Sequence, residues 1–207
     1  MKIIPKDYLP EISLPLPLFQ SFILADGICK LGDEFDVYIG LEKKYALQLK
    51  KLSQDEGDVD LQNYTGDKAR FVEGTYEDWY KQSRTVFALV HKQTDVLAAL
   101  MWFGPKSLGR KSMKFEQEVN ADSKDDSEND WHTIAFRSYP PFRGRGVMKN
   151  FSKFAIDIYK KHFPKSMFWT GTDDRNTVFL KFISGLGFKI NAENSDLPEH
   201  WLVMTKK

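Results

Sequence analysis

The stretch that most constrains the fold is PPFRGRG, residues 140–146, because a regular amphipathic pattern follows it directly. Apolar residues recur at helical spacing over residues 147–163, with lysines on the opposite face. A strand pattern, WHTIAFRS at 131–138, comes immediately before. The first turn of a helix has backbone N–H groups without partners and the positive end of the helix dipole. The order strand, glycine-rich turn and helix therefore predicts a backbone cradle for a phosphate or pyrophosphate group.

The four residues of the RGRG turn have separate roles in such a cradle. Gly144 and Gly146 allow the backbone to approach a ligand and to adopt positive φ. Arg143 and Arg145 can add charged donors, and the N–H of Val147 lies at the helix start. The alternative interpretation is a plain flexible turn. The lysine and Ser/Thr of a P-loop are missing, so the motif does not favour Mg-nucleotide hydrolysis.

The remaining patterns predict one α+β domain with element order βααβββαβαββ over residues 35–207. Strands are predicted at 35–41, 85–91, 96–103, 131–138, 166–172, 188–190 and 200–204, and helices at 42–52, 75–84, 147–163 and 177–185. Residues 53–67 and 104–130 are predicted to be loops. Residues 1–34 are expected to form an N-terminal extension packed on the domain. Their apolar run at 12–25 contains two prolines and is too short to span a bilayer.

Charge and cysteine content limit the classes of function. The formal net charge of +1 argues against a nucleic-acid-binding protein, and an RNA-binding RGRG loop is the weakest alternative. The single cysteine, Cys29, cannot form an intramolecular disulfide, which fits a reducing, cytoplasmic compartment. No His, Cys or carboxylate spacing indicates a metal site. Seven acidic residues between 116 and 130 are interpreted as a solvated loop or as an acidic rim that attracts a cationic substrate.

The turn and helix resemble a motif of the GNAT superfamily of N-acetyltransferases, which carries Gln/Arg-x-x-Gly-x-Gly/Ala between its fourth strand and a long helix. Here the motif runs from Arg143 to Met148, and Gly146 occupies the position of its first glycine. A second matching piece is Asn176 followed, eleven residues on, by the Gly-Phe pair at 187–188. The resemblance covers about residues 35–207. It implies a layered α/β/α fold around a mixed, mostly antiparallel sheet with one splayed strand pair.

The resemblance also implies a cofactor, acetyl-CoA, acting as co-substrate. Its pyrophosphate would lie on residues 143–147. Its pantetheine arm would pair with backbone groups of Phe136, Arg137 and Ser138, in a slot between strands 134–138 and 167–171. Asn176 would lie near the pantetheine end of that slot, or would serve only as a helix cap. Two positions depart from the family pattern, because Met148 replaces a small residue and Ile183 occupies the place of a frequent general-acid Tyr.

In this chemistry a substrate amine attacks the thioester directly, and a base is needed to make that amine neutral. His132 is the first candidate base, since it lies six residues before Ser138 on the same strand. A backbone N–H near Ser138 would stabilise the oxyanion. Tyr139 is either the acid that protonates the thiolate or a packing residue. Less specific candidate bases acting through water are Glu116, Glu118 and Asp130.

The sequence leaves the acceptor open among a small-molecule amine, a lysine and a protein N-terminus. It also leaves open a homodimer, and no membrane partner is expected. The main alternative to an acyltransferase is a catalytically silent acyl-CoA-binding module. This alternative stays open because Ile183 occupies the place of the family's frequent general-acid Tyr. Both predict binding of CoA, and only the enzyme predicts thiol release in the presence of an amine.

Overall fold

The computed structural model describes residues 1–7, 11–109 and 130–207. Most of the predicted acidic rim, including the candidate bases Glu116 and Glu118, lies outside the described residues. Asp130 lies within them and is exposed, and its carbonyl oxygen accepts a hydrogen bond from the Met167 N–H at 2.7 Å.

Within the described ranges, nine strands form one sheet in the order β1-β2-β3-β4-β5-β6-β7-β9-β8. The strands are β1 (Lys2–Pro5), β2 (Ser21–Ile28), β3 (Glu34–Gly40), β4 (Thr85–His91), β5 (Val96–Pro105), β6 (Trp131–Ser138), β7 (Met167–Asp173), β8 (Lys189–Ile190) and β9 (Trp201–Lys206). The β6–β7 pair is parallel and every other neighbouring pair is antiparallel. The predicted mixed, mostly antiparallel sheet is confirmed.

The helices are α1 (Lys43–Gln54), α2 (Val59–Tyr64), α3 (Tyr76–Tyr80), α4 (Met148–His162) and α5 (Thr177–Ser184), with a π-helix at Ala69–Glu73 and a 3-10 turn at Ala192–Asn194. The order from β3 onward differs from the prediction by α2 and the π-helix. The prediction of a loop at 53–67 is wrong in its second half. Asp58 caps α2 by accepting from the Leu61 N–H at 3.2 Å, and Leu61 is buried against α1 and the sheet.

Residues 1–34 contribute two strands to the sheet itself. Strand β2 pairs with β3 from Ser21 to Ile28, with one register shift between Ile23 and Ala25. Leu24 and Ala25 are fully buried in the core beneath the sheet. The end of the apolar run at 12–25, from Ser21 onward, is therefore explained by a sheet strand whose inner face is buried.

Each face of the sheet carries its own core. Helices α4 and α5 cover one face, where Phe136 of β6 contacts the rings of Phe179 and Phe182 on α5, in the same core as Phe151 of α4. The segment from α1 to α3 covers the other face, where Trp79 and Phe71 contact the ring of Trp102 edge to face. The result is the predicted three-layer arrangement. None of the helices in the described ranges has the length and apolar composition needed to cross a membrane.

Candidate active site

Strands β6 and β7 part along the sheet and leave a slot. They pair only at their first residues, from Trp131 opposite Met167 to Thr133 opposite Trp169. Beyond that point β6 stays paired with β5 as far as Ser138, while β7 stays paired with β9 through its whole length. The predicted splayed strand pair is confirmed, and the slot lies between residues 134–138 and 170–173.

The pairing of β6 with β5 determines which peptide groups face the slot. The Tyr139 N–H donates to the Ala98 carbonyl oxygen at 2.9 Å, so odd-numbered residues of β6 direct their peptide groups to β5. Phe136 and Ser138 consequently direct theirs to the slot, as the sequence interpretation required. The backbone of Arg137 faces β5 instead. This orientation does not support its predicted pairing with a pantetheine arm, because peptide groups alternate in direction along an antiparallel strand.

The glycine-rich turn ends in an open backbone surface at the start of α4. Gly144 has φ of +80° and Gly146 has φ of +70°, and a Cβ added to either would meet no atom within 4 Å. The N–H groups of Gly144, Gly146 and the four residues after it have no hydrogen-bond acceptor in the described chain. These amides, with the positive end of the α4 dipole, can bind an anion.

The two arginines of the turn are held by carboxylates rather than left free for a ligand. Arg143 donates to both oxygens of Asp58, at 2.8 and 2.6 Å, and to the Ser138 carbonyl oxygen at 3.0 and 2.9 Å. The hydrogen bonds to Asp58 raise the pKa of Arg143. Arg145 donates to Asp33 at 2.8 Å and to the Pro141 carbonyl oxygen. The prediction that both guanidiniums serve as phosphate donors therefore loses its support, and the backbone amides carry the cradle.

His132 lies at the closed end of the slot, where β6 and β7 are paired. Its Nδ1 is 2.6 Å from the Tyr159 hydroxyl, and its ring contacts those of Tyr159 and Phe163 under α4. Six residues of strand separate it from Ser138, which is about 20 Å. This position does not support His132 as the base.

Tyr139 is fully buried in the core on the α1–α3 side of the sheet. Burial raises the pKa of its phenol well above the ordinary value, and the charge of Asp67 acts in the same direction. Its hydroxyl has no hydrogen-bond partner among the described residues. An enclosed, weakly acidic phenol favours the packing interpretation over a general acid.

Asn176 caps α5 at the end of β7. Its Oδ1 accepts from the Phe179 N–H at 3.2 Å, so the cap interpretation accounts for its oxygen. Ile183, in the place of the family's frequent Tyr, is fully buried on the inner side of α5.

The slot is flanked by a charged cluster that the sequence interpretation missed. Asp67, with 1% of its side chain exposed, accepts from Arg137 Nε, from Arg137 Nη2 at 2.7 Å and from Arg70 Nη1 at 2.9 Å. Burial opposes ionisation, yet the guanidinium of Arg137 holds the pKa of Asp67 below its usual value. Arg137 Nη1 also donates to the Phe136 carbonyl oxygen at 2.7 Å. Asp67 and Arg137 are 70 residues apart, so no local pattern indicates their pairing.

The mouth of the slot carries a second carboxylate-arginine pair. Asp173, the last residue of β7, accepts two hydrogen bonds from the Arg175 side chain at 2.8 and 2.6 Å. These bonds lower the pKa of Asp173 to about 2. No group of metal-ligating side chains occurs in the part of the chain that the structure describes.

Several solved structures with the same fold are described as acetyltransferases or GNAT domains. The GNAT domain of S. lividans PAT is 15% identical, with a TM-score of 0.59 over 87% of this chain and 94% of that one. The ribosomal-protein-S5-alanine acetyltransferase from Vibrio fischeri is 13% identical, with a TM-score of 0.52 over 82% and 92%. A putative phosphinothricin N-acetyltransferase is 11% identical, with a TM-score of 0.53 over 84% and 98%. No protein-family model matches the sequence, and neither does any curated protein. The chain has the GNAT acetyltransferase fold.

Proposed function

We propose that the protein binds acetyl-CoA in the slot and transfers the acetyl group to a primary amine. The observation that carries the proposal is the row of unpaired amides at the α4 tip beside the parted strands β6 and β7. Acetyltransferase names among structures of the same fold support it.

The chain's own groups divide the work of binding. The amides from Gly144 to Asn150, apart from that of Arg145, hold the pyrophosphate. The slot-facing peptide groups of Phe136 hold the pantetheine arm as an added strand would, while the Ser138 carbonyl oxygen is occupied by Arg143 and leaves only the Ser138 N–H for the ligand. One lone pair of the Phe136 carbonyl is already taken by Arg137, which leaves the other for this contact.

Acetyl-CoA supplies an activated thioester at this position. The slot holds it in line with an incoming amine, so proximity provides much of the rate. The Ser138 N–H, which faces the slot, donates to the oxygen on which negative charge develops. A thiol has a pKa of about 8.5, so the sulfur can leave without a strong acid, and the buried Ile183 is compatible with turnover.

The test is the variant Gly146→Trp, whose side chain would cover the amides at the α4 tip. We expect calorimetric CoA affinity to fall at least about 100-fold, which corresponds to about 2.7 kcal/mol. Gly187→Trp is the matched control, because Gly187 has φ of +89° and open space apart from the Lys206 side chain at 3.9 Å. It introduces the same backbone strain away from the slot. Equal CoA affinity in the two variants would contradict the cradle.

A catalytically silent acyl-CoA-binding module is the second candidate. It is favoured by the burial of Ile183 and by the position of His132 at the closed end of the slot, because these positions leave both expected places of an acid and a base without support. Thiol release from acetyl-CoA, measured over a panel of primary amines, separates the two functions. Tight CoA binding without release for any amine would establish the module.

A further inference from the structure

Two half-buried guanidiniums share one buried carboxylate on the α1–α3 side of the slot. Asp67 accepts a bidentate pair of hydrogen bonds from Arg137 and a single bond from Arg70. The side chains of Arg70 and Arg137 are 16% and 13% exposed. We call Asp67, Arg70 and Arg137 the arginine cluster. Its formal charge is +1.

Among the described residues, the neighbouring charges do not cancel this excess. Arg143 and Asp58 form a closed pair of their own, joined by two hydrogen bonds. Asp60 lies 3.9 Å from Arg143, but 74% of its side chain is exposed, so water screens it. A buried charge without a counter-ion is costly, and an anionic ligand group would remove that cost.

Arg70 has hydrogen-bonding capacity left over. Its Nη1 is used by Asp67, and its Nε and Nη2 make no hydrogen bond to the described residues. Nε and Nη2 together form one edge of the guanidinium, which matches the two oxygens of a carboxylate. The guanidinium carbon lies 5.9 Å from the ring centroid of Trp102, which supports it from below.

The cluster is next to the slot. Arg137 donates to the carbonyl oxygen of Phe136, whose peptide group faces the slot. Arg70 is carried by the π-helix Ala69–Glu73, and π-helical turns are frequent at functional sites. The amides proposed to bind the CoA pyrophosphate belong to the opposite layer, at the start of α4, so the arginine cluster lies on the face of the sheet that the pyrophosphate would leave open to an acceptor.

We infer that the acceptor amine carries a carboxylate, which binds the free edge of Arg70 while its amine faces the slot. The inference rests on the proposed function and makes it more specific. The expected acceptors are small molecules that carry both an amine and a free carboxylate. Lysine side chains of proteins and protein N-termini lack such a carboxylate beside the amine and are not expected.

The experiment measures thiol release from acetyl-CoA with standard amino acids as free acids and as their carboxamides. The amine of a carboxamide loses its proton more easily, so intrinsic reactivity favours the carboxamide. For at least one amino acid, we expect kcat/KM to be at least about 30-fold higher with the free acid than with its carboxamide, which is opposite to the trend in intrinsic reactivity. In Arg70→Gln this preference should disappear, with the carboxamide rate and the CoA affinity unchanged. Asp67 keeps its two bonds to Arg137 in this variant, so the fold should be retained.

The matched control is Arg175→Gln, an arginine at the slot mouth whose Nε–Nη2 edge, the edge that is free in Arg70, is occupied by Asp173. It should keep the preference for free acids. Thiol release with equal rates for acids and carboxamides, or an equal loss for both in Arg70→Gln, would overturn the inference and leave the proposed function standing. CoA binding without thiol release for any amine would overturn both, and the Gly146→Trp result would show whether the cradle itself survives.

Discussion

Arg143 and Asp58 are joined by two hydrogen bonds, at 2.8 and 2.6 Å, across 85 residues of sequence. The pair ties the glycine-rich turn before α4 to the capping residue of α2. Arg143, which the motif predicts to be a phosphate donor, therefore stabilises the turn instead. The backbone amides at the start of α4 remain free for the ligand.

Replacing Arg143 should affect stability more than cofactor binding. Arg143→Ala leaves the carboxylate of Asp58, only 3% exposed, without its partner, and we expect the free energy of unfolding to fall by about 2 kcal/mol. Arg145→Ala is the control, because its pair with Asp33 is more exposed and should contribute less. Urea unfolding and CoA calorimetry measure the two effects. A large loss of CoA affinity in both variants at unchanged stability would show that the guanidiniums contact the phosphates after all.

The pair of Asp173 and Arg175 predicts a pH dependence of stability. The folded pKa of Asp173, about 2, lies below the value of about 3.9 for an unfolded chain. The carboxylate therefore stabilises the fold above about pH 4, and this contribution is lost as the pH falls towards 2. The melting temperatures of the natural protein and of Asp173→Asn should differ at pH 6 and converge towards pH 2. A constant difference across this range would contradict the assignment.

Tyr139→Phe should leave the rate of thiol release unchanged and should not lower stability. The hydroxyl is buried without a hydrogen-bond partner, so its removal eliminates an unsatisfied polar group and could raise the free energy of unfolding by up to about 1 kcal/mol. Thermal unfolding and steady-state kinetics provide the check. A drop in kcat of tenfold or more, with stability intact, would restore Tyr139 as the acid.

His132→Ala should act on stability. The substitution removes the bond to the Tyr159 hydroxyl and the ring contacts with Tyr159 and Phe163, and we expect a loss of about 2 kcal/mol. Any change in the rate of thiol release should be the same at pH 7 and pH 9. A larger loss at pH 7, where a base is most needed, would identify His132 as that base and contradict its position at the closed end of the slot.

Local patterns predicted the order of strand, turn and helix from Trp131 to His162, because periodicity and glycines act over a few residues. The slot followed from a family resemblance. Neither local patterns nor the family resemblance predicted the carboxylate partners of Arg137, Arg143 and Arg145. Asp33, Asp58 and Asp67 lie between 70 and 112 residues from the arginines of β6 and the turn, and ion pairs at that separation leave no periodic trace.

Helix α2 was missed for a related reason. Its six residues, starting at Val59, are too few to show a period, and the preceding stretch is rich in aspartate and glycine. What fixes it is Asp58, which caps the helix and holds Arg143 at the same time. Tertiary contacts thus decided a segment that intrinsic propensity left as a loop.

The stretch from Asp58 to Asp67 is fastened to β6 and the turn at both of its ends, through Arg143 and Arg137. These two anchors favour a stretch that is already ordered before a ligand arrives. An acceptor that docks against it would not have to supply the ordering entropy of a closing flap. Selectivity among acceptors would then come from the fixed charges and the fixed shape of this surface. An acceptor could be selected tightly and could still enter and leave the slot rapidly.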